Sequence, residues 1–295
     1  MNVPVLRPHA TVESGMKRYL DHFRRLLTSI AKHPYVFSQS LKGAPSVCDA
    51  YEFSHSFQGP STAREGASTD NPLREYFESY REGPGIWKWE HYFDIYHRHL
   101  SKFVGTKVDV VEIGIYSGGS LGMWRTYFGN GCHVYGVDIE PACKAYESTD
   151  VSVFIGDQAD RGLWKEFKNK VGKVDIVIDD GGHTPEQQQV TLQEMLPALR
   201  DGGVYICEDI HGAFNRFSRF ATGLANELNA THFRSGELLE STRTAFQNAI
   251  HSIHFYPYMV VIEKHAGNAP RLAAPKHGTE WQPFFDDRRA RVESS

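Results

Sequence analysis

Asp179, Asp180 and His183 follow directly on the apolar run Val174–Ile178, and Glu208 and Asp209 follow directly on Val204–Cys207. If the two runs are strands of one parallel sheet, both clusters meet at its carboxyl edge, where open α/β sheets hold their ligands. Hard carboxylate oxygens suit a Mg2+-like cation. A cation lowers the pKa of a hydroxyl bound to it, and a neutral imidazole, with an ordinary pKa of ~6.5, can take the proton. The residue types therefore describe equipment for activating a hydroxyl group.

A second constellation lies upstream. The apolar run 108–113 ends in Glu112-Ile113-Gly114-Ile115-Tyr116-Ser117-Gly118-Gly119-Ser120. A glycine loop between a first strand and a helix cradles a nucleotide or simply shapes a turn. The dinucleotide pattern needs a second glycine to admit a pyrophosphate. Tyr116 holds that place, so a nucleoside without phosphates fits better. Asp138 closes the next apolar run and is placed to accept ribose hydroxyls, unless it merely caps a turn. Asp157 and Gln158 follow the third run and could bond an adenine edge; an Asx turn is the plainer account. Glu112, Gly114, Tyr116, Ser117, Gly118, Ser120, Asp138, Asp157, Gln158 and Asp179 together outline a pocket for S-adenosylmethionine.

The elements that must carry these residues alternate. Apolar runs 108–113, 133–137, 151–155, 174–178 and 203–207 read as buried parallel strands, and helical stretches Ser120–Phe128, Gly162–Asn169 and Pro185–Leu199 lie between most of them. This pattern predicts an α/β, doubly wound, Rossmann-like sheet. Thr184, Pro185 and Gln187 form a capping-box start for the last of these helices. After a helix at Phe214–Leu228, the runs 250–255 and 258–263 are separated only by Tyr256 and Pro257, so they must pair antiparallel or bend apart. Upstream, Ser14–Ile30 has helical apolar spacing, Gly59–Asn71 reads as a loop or lid, and Trp87–Leu100 reads as a helix packed on the body. The expected division is a helical extension over 1–85, a catalytic domain over 86–265 and an arm over 266–295.

Composition narrows the class. The chain has 295 residues with a formal net charge of −4, which predicts neither a nucleic-acid nor a membrane partner. Four scattered cysteines without a CxxC predict free thiols in a reducing compartment. The start has no signal-like apolar segment, and a cytoplasmic enzyme is expected.

The order ExGxxxG, GVD, GDQ, DDGGH and GGxYxxED, with a terminal hairpin, resembles the class I S-adenosylmethionine-dependent methyltransferases. More narrowly, it resembles the metal-dependent sugar O-methyltransferases of macrolide biosynthesis, the demethylmacrocin and mycinamicin VI 2″-O-methyltransferase type. The matching stretch runs from about Trp87 to Ile210. The resemblance implies a seven-stranded sheet with Asp180, Glu208 and Asp209 as Mg2+ ligands. It also implies His183 as general base, S-adenosylmethionine as donor, and a homo-oligomer. A small-molecule hydroxyl acceptor follows, but its identity does not, because the match fades before residue 85 and after about 212. A catechol-like or other diol acceptor stays open, as does a cephalosporin-hydroxylase-like tailoring reaction. A nonenzymatic binding protein is disfavoured by the intact metal and base positions.

Overall fold

The computed structural model describes residues 12–59, 70–230, 233–234, 239–275 and 277–278. The expected lid at Gly59–Asn71 and the expected arm after residue 266 lie largely outside them. The chain divides into two units, Met1–Gly66 and Ala67–Ser295. No helix among the described residues is long and apolar enough to cross a membrane.

The first unit holds α1 (Val12–Lys32) and α2 (Pro34–Ser56), which contact each other. Helical apolar spacing signals α1. Pro34 has no N–H and disfavours helical backbone at His33, whose φ is −136°, so the chain turns there and starts a new helix. Leu20, Phe23 and Leu27 of α1 stay exposed.

The second unit begins with α3 (Pro72–Ser79), capped by Asn71 Oδ1, which accepts the N–H groups of Leu73 and Arg74. Next comes α4 (Tyr92–Leu100), preceded by a non-helical stretch at Trp87–Glu90. The alternating body then follows: β1 (Val108–Ile113), α5 (Gly119–Phe128), β2 (Cys132–Asp138), a 3-10 turn (Pro141–Tyr146) and β3 (Val151–Ile155). It continues through α6 (Arg161–Val171), β4 (Val174–Asp179), α7 (Pro185–Met195), β5 (Leu199–Cys207) and α8 (Arg216–Glu227). Both bonds of the expected capping box are formed at the start of α7. After β6 (Phe233–Arg234), β7 (Leu239–Ser241) and α9 (Ala245–Ala249), the chain closes with the hairpin β8 (Ile250–Tyr256) and β9 (Met259–Lys264), then β10 (Leu272–Ala274).

The main sheet has seven strands in the order β3-β2-β1-β4-β5-β9-β8. The first five are parallel, and β9 and β8 run antiparallel. This is the doubly wound sheet with a late hairpin that the apolar runs predicted. The central strands are apolar on both faces because helices cover both. Val110, Ile176 and Val204 lie in one register row and pack with Trp124, Phe93 and Tyr96 of α4 and α5. Val111, Val177 and Tyr205 form the next row and pack with Trp164, Leu192 and Phe217 on the other face. A second, three-stranded sheet of β10, β7 and β6 went unread in the sequence, since its strands are two or three residues long. It draws residues 272–274 of the expected arm into pairing with 239–241.

Candidate functional site

The register aligns the carboxyl ends of the three central strands: Ile113 pairs with Asp179, and Asp179 with Cys207. The ladder runs one residue further, with Asp180 N–H donating to Ile113 O at 3.1 Å and Glu208 N–H to Asp179 O at 2.9 Å. The two acidic clusters therefore leave adjacent strands side by side. Ligand atoms of Asp180, His183 and Asp209 all lie within 4.8 Å of one another. His183 Nε2 is 3.7 Å from Asp209 Oδ2 and 4.0 Å from Asp180 Oδ1.

Glu208 is placed differently. Its side chain is 0% exposed and turns inward, where Oε1 accepts the Tyr96 hydroxyl at 2.6 Å and Oε2 accepts Lys88 Nζ at 3.1 Å. Burial pushes its carboxyl above the ordinary glutamate range; Lys88 opposes this and the charge of Asp180 adds to it. Glu208 thus stands behind the open group of Asp180, His183 and Asp209, one layer deeper than its expected partners. Lys88 went unread as a site residue, although a lysine four residues before the aromatic helix start at Tyr92 was a usable signal. Burial alone would lower its pKa, but Asp180, Glu208 and Glu112 together hold the ammonium well above the ordinary value.

Asp209 is oriented by an aromatic wall. Its Oδ1 accepts Trp89 Nε1–H at 2.9 Å and the Tyr92 hydroxyl at 2.9 Å. Tyr258 packs on Trp89 and His211, with ring centroids 5.4 and 4.9 Å apart. Trp89 stands at this edge, while Trp87 and Phe214 are strongly exposed.

Backbone strain marks the same place. Among the described residues, the non-glycine residues with positive φ are Tyr116 (44°), His183 (56°), Asp209 (54°) and Tyr258 (61°). Such conformations cost free energy and persist where the surroundings enforce them. Three of the four hold or flank the carboxylates, and the fourth sits in the glycine loop.

The loop residues fall into two groups. Gly114 has φ 81°, and its Cα lies so close to Asp180 O that a Cβ would meet that oxygen at 2.0 Å. Gly118 has φ 77° against the Tyr146 ring. The Tyr116 side chain is 74% exposed, its N–H donating to Asp138 Oδ2 at 3.0 Å, and Ser117 is half-buried. Asp157 is exposed, and its Oδ1 accepts Ala159 N–H, the plainer Asx-turn account. Ile139, beside Asp138, is 67% exposed, an apolar surface the sequence did not single out.

The remaining residues are internal struts. Ser120 Oγ donates to Glu112 Oε2 at 2.7 Å beneath the loop, and Glu112 Oε1 is buried without a hydrogen-bond partner. Asp179 accepts Gln158 Nε2 at 2.8 Å and the Tyr205 hydroxyl at 3.0 Å. Gln158 Oε1 accepts Gly182 N–H at 2.7 Å. Gln158 and Asp179 therefore brace the β4 turn from inside, and each of their side-chain polar atoms already has a protein partner. Burial raises the Asp179 carboxyl to about 6.

A separate group, His99, His254 and Glu263, lies at the other end of β9 and also has metal-like spacing. Its members already bond one another and their neighbours. His99 bridges Glu263 at 3.0 Å and Tyr256 at 2.9 Å, His254 meets Ser252, and Lys102 lies 3.5 Å from Glu263. The His99 hydrogen bond, with Lys102 and His254 nearby, holds the Glu263 carboxyl down to about 2 against the ordinary 4.5. A depressed carboxyl contributes stability above its unfolded pKa and loses it as pH falls through the folded value. Glu263→Gln is therefore expected to lower Tm at pH 7, and by a shrinking amount between pH 4.5 and about 2. Thermal melts across that window check this; a pH-independent difference would contradict it.

Residues 111–210 match the profile of a family described as "Methyltransferase domain". The chain is 31% identical over 209 residues to the 8-demethyl-8-alpha-L-rhamnosyl tetracenomycin-C 2'-O-methyltransferase of Streptomyces olivaceus, covering 64% of this chain and 54% of that protein. It is 35% identical over 166 residues to the demethylmacrocin O-methyltransferase of Streptomyces fradiae, covering 53% and 41% respectively. The chain thus spans about half the length of these relatives. Among solved structures, the MycE methyltransferase of the mycinamycin pathway, in complex with Mg, SAH and mycinamycin VI, aligns with a TM-score of 0.55 at 22% identity. That alignment covers 68% of this chain and 55% of the other. The matched segment, residues 111–210, thus resembles a methyltransferase domain on a seven-stranded sheet, and the chain is similar to the sugar-directed and demethylmacrocin O-methyltransferases named above.

Proposed function

We propose that the protein transfers a methyl group from S-adenosylmethionine to a hydroxyl of a sugar on a small-molecule natural product, with a divalent cation such as Mg2+. The observation that carries this reading is the meeting of Asp180, His183 and Asp209 within 4.8 Å, one strand away from the glycine loop. The donor set fits a hard cation: Asp180 and Asp209 offer carboxylate oxygens at the open edge, and Glu208 adds a buried negative charge behind them. A bound divalent cation would supply Lewis-acid polarisation of the acceptor hydroxyl.

The chain's own residues have separable tasks in this reading. His183 takes the hydroxyl proton at Nε2, the ring atom that faces both carboxylates. Trp89 and Tyr92 fix the Asp209 carboxylate through Oδ1, leaving Oδ2 toward His183. Gly114 and the Tyr116 backbone would shape the donor cradle, Asp138 would hold its ribose, and Asp157 and Ile139 would border its base. Methyl transfer is an in-line displacement on an already electrophilic carbon, so alignment of donor and acceptor is the main remaining requirement. The exposed wall of Trp89, His211 and Tyr258 gives a sugar ring an apolar face to lie against. The relatives' named substrates, a rhamnosyl tetracenomycin and demethylmacrocin, favour a sugar over a catechol.

Calorimetry tests the reading. The demethylated donor product is expected to bind the wild-type chain, and Mg2+ to bind it measurably. Asp209→Asn is expected to lose Mg2+ binding while keeping the nucleoside. Failure of the nucleoside to bind with or without Mg2+ would overturn the donor assignment; full Mg2+ affinity in Asp209→Asn would overturn the metal assignment.

A further inference from the structure

The carboxylates at the sheet edge already have a cation among them. Lys88 Nζ lies 2.7 Å from Asp180 Oδ2, 3.1 Å from Glu208 Oε2 and 3.6 Å from Glu112 Oε1, and its side chain is 3% exposed. Lysine is rarely buried this fully unless it is paired. Here it serves acids from three different strand ends, β1, β4 and β5. Two of them, Glu112 and Glu208, have no access to solvent. A buried acid stripped of its counter-charge is strongly unfavourable. The ammonium therefore stabilises the sheet edge in the metal-free protein. It also sits beside Asp180, where its charge opposes the arrival of a second cation.

We propose that Lys88 is a resident counter-cation: it lets the acidic cluster fold before any metal binds, and it weakens metal affinity as a consequence. This rests on reading the cluster as a divalent-cation site. The two effects belong to one thermodynamic cycle. Removing Lys88 harms the metal-free protein, in which the acids lose their only close cation among the described residues. It harms the metal-bound protein less, because the divalent charge takes over part of the compensation. Metal affinity must rise by the ratio of the two effects.

The test is Mg2+ titration and thermal melting of Lys88→Met without donor or acceptor. Lys88→Met is expected to melt lower than wild type in chelator, to gain more Tm from Mg2+ than wild type does, and to bind Mg2+ more tightly. The expected gain is roughly tenfold or more, the ordinary scale of coupling between neighbouring sites. Equal or weaker Mg2+ affinity in the folded variant would overturn the proposal and make Lys88 a residue that orients the ligands instead. If Lys88→Met does not fold, the double variant Lys88→Met/Glu112→Gln removes one positive and one negative charge together. It is expected to bind Mg2+ more tightly than wild type for the same reason, and equal or weaker binding there overturns the proposal as well. The two readings fail differently. A wild-type chain that binds no Mg2+ sinks the metal site itself, whereas a wild-type chain that binds it, with no gain on removing Lys88, sinks only the counter-cation role.

Discussion

Replacing His183 with Ala is expected to lower kcat by ~10²–10⁴, about 3–5 kcal/mol of transition-state stabilisation. Affinity for the demethylated donor product should stay within a few-fold. The expectation follows from position. His183 is 38% exposed, so its side chain contributes little to packing, and its Nε2 faces the two open carboxylates. His183 also has φ 56°, which alanine tolerates poorly. His183→Asn separates the two effects, because asparagine accepts left-handed backbone but is not a comparable base. Both variants should lose the same decades of rate if proton removal is what His183 does. A loss below a few-fold in His183→Asn would show that the proton leaves by another route.

Much of this arrangement was legible in the sequence, for physical reasons. Strands buried on both faces must be apolar throughout, so 108–113, 151–155 and 174–178 stood out with nearly their full extents. Residues directly after such runs must emerge at one sheet edge, which brought Asp180, His183 and Asp209 together without knowledge of any distance. The Tyr256–Pro257 link was too short for a crossover, which left an antiparallel pair or a bend, and β8 and β9 form the pair. Helix starts were readable where side chains cap them, as at Thr184.

What escaped depended on direction rather than type. Glu208 keeps the alternation of β5 and turns to Tyr96 and Lys88, whereas Asp209 leaves the strand with φ 54° and its carboxylate meets Trp89, Tyr92 and His183 at the open edge. The same parity, with the turn after β4, sends Asp179 inward to Gln158 and Tyr205 and Asp180 outward. Sequence spacing groups such residues but does not orient them. Lys88 escaped because its partners are 24, 92 and 120 residues away, a juxtaposition created only by the sheet. The short strands β6, β7 and β10 carry no periodicity long enough to read.

The junction of the donor loop with the acidic edge gives the second large prediction. Gly114 closes β1 with φ 81°, and a Cβ there would lie 2.0 Å from Asp180 O and 2.9 Å from the Cα of Gly181. Left-handed backbone costs a non-glycine residue ~1–2 kcal/mol. The clash costs more, because it is with backbone that no side-chain rotation can move. The ends of β1 and β4 must separate by on the order of 1 Å, a misplacement that lowers rates ~10²-fold. Gly114→Ala is therefore expected to fold, with lowered Tm, and to lose at least ~10² in kcat/KM. Affinity for both the nucleoside and Mg2+ should weaken, since one shift displaces the donor loop and Asp180 together. Gly129→Ala is the matching control. Gly129 also has positive φ, 88°, but a Cβ there meets nothing within 4 Å. That variant should lose stability of similar origin while leaving both affinities unchanged. Should Gly114→Ala instead lose Tm alone, like the control, the donor loop and the acidic edge would be mechanically independent, and the close approach of Gly114 to Asp180 would have no part in function.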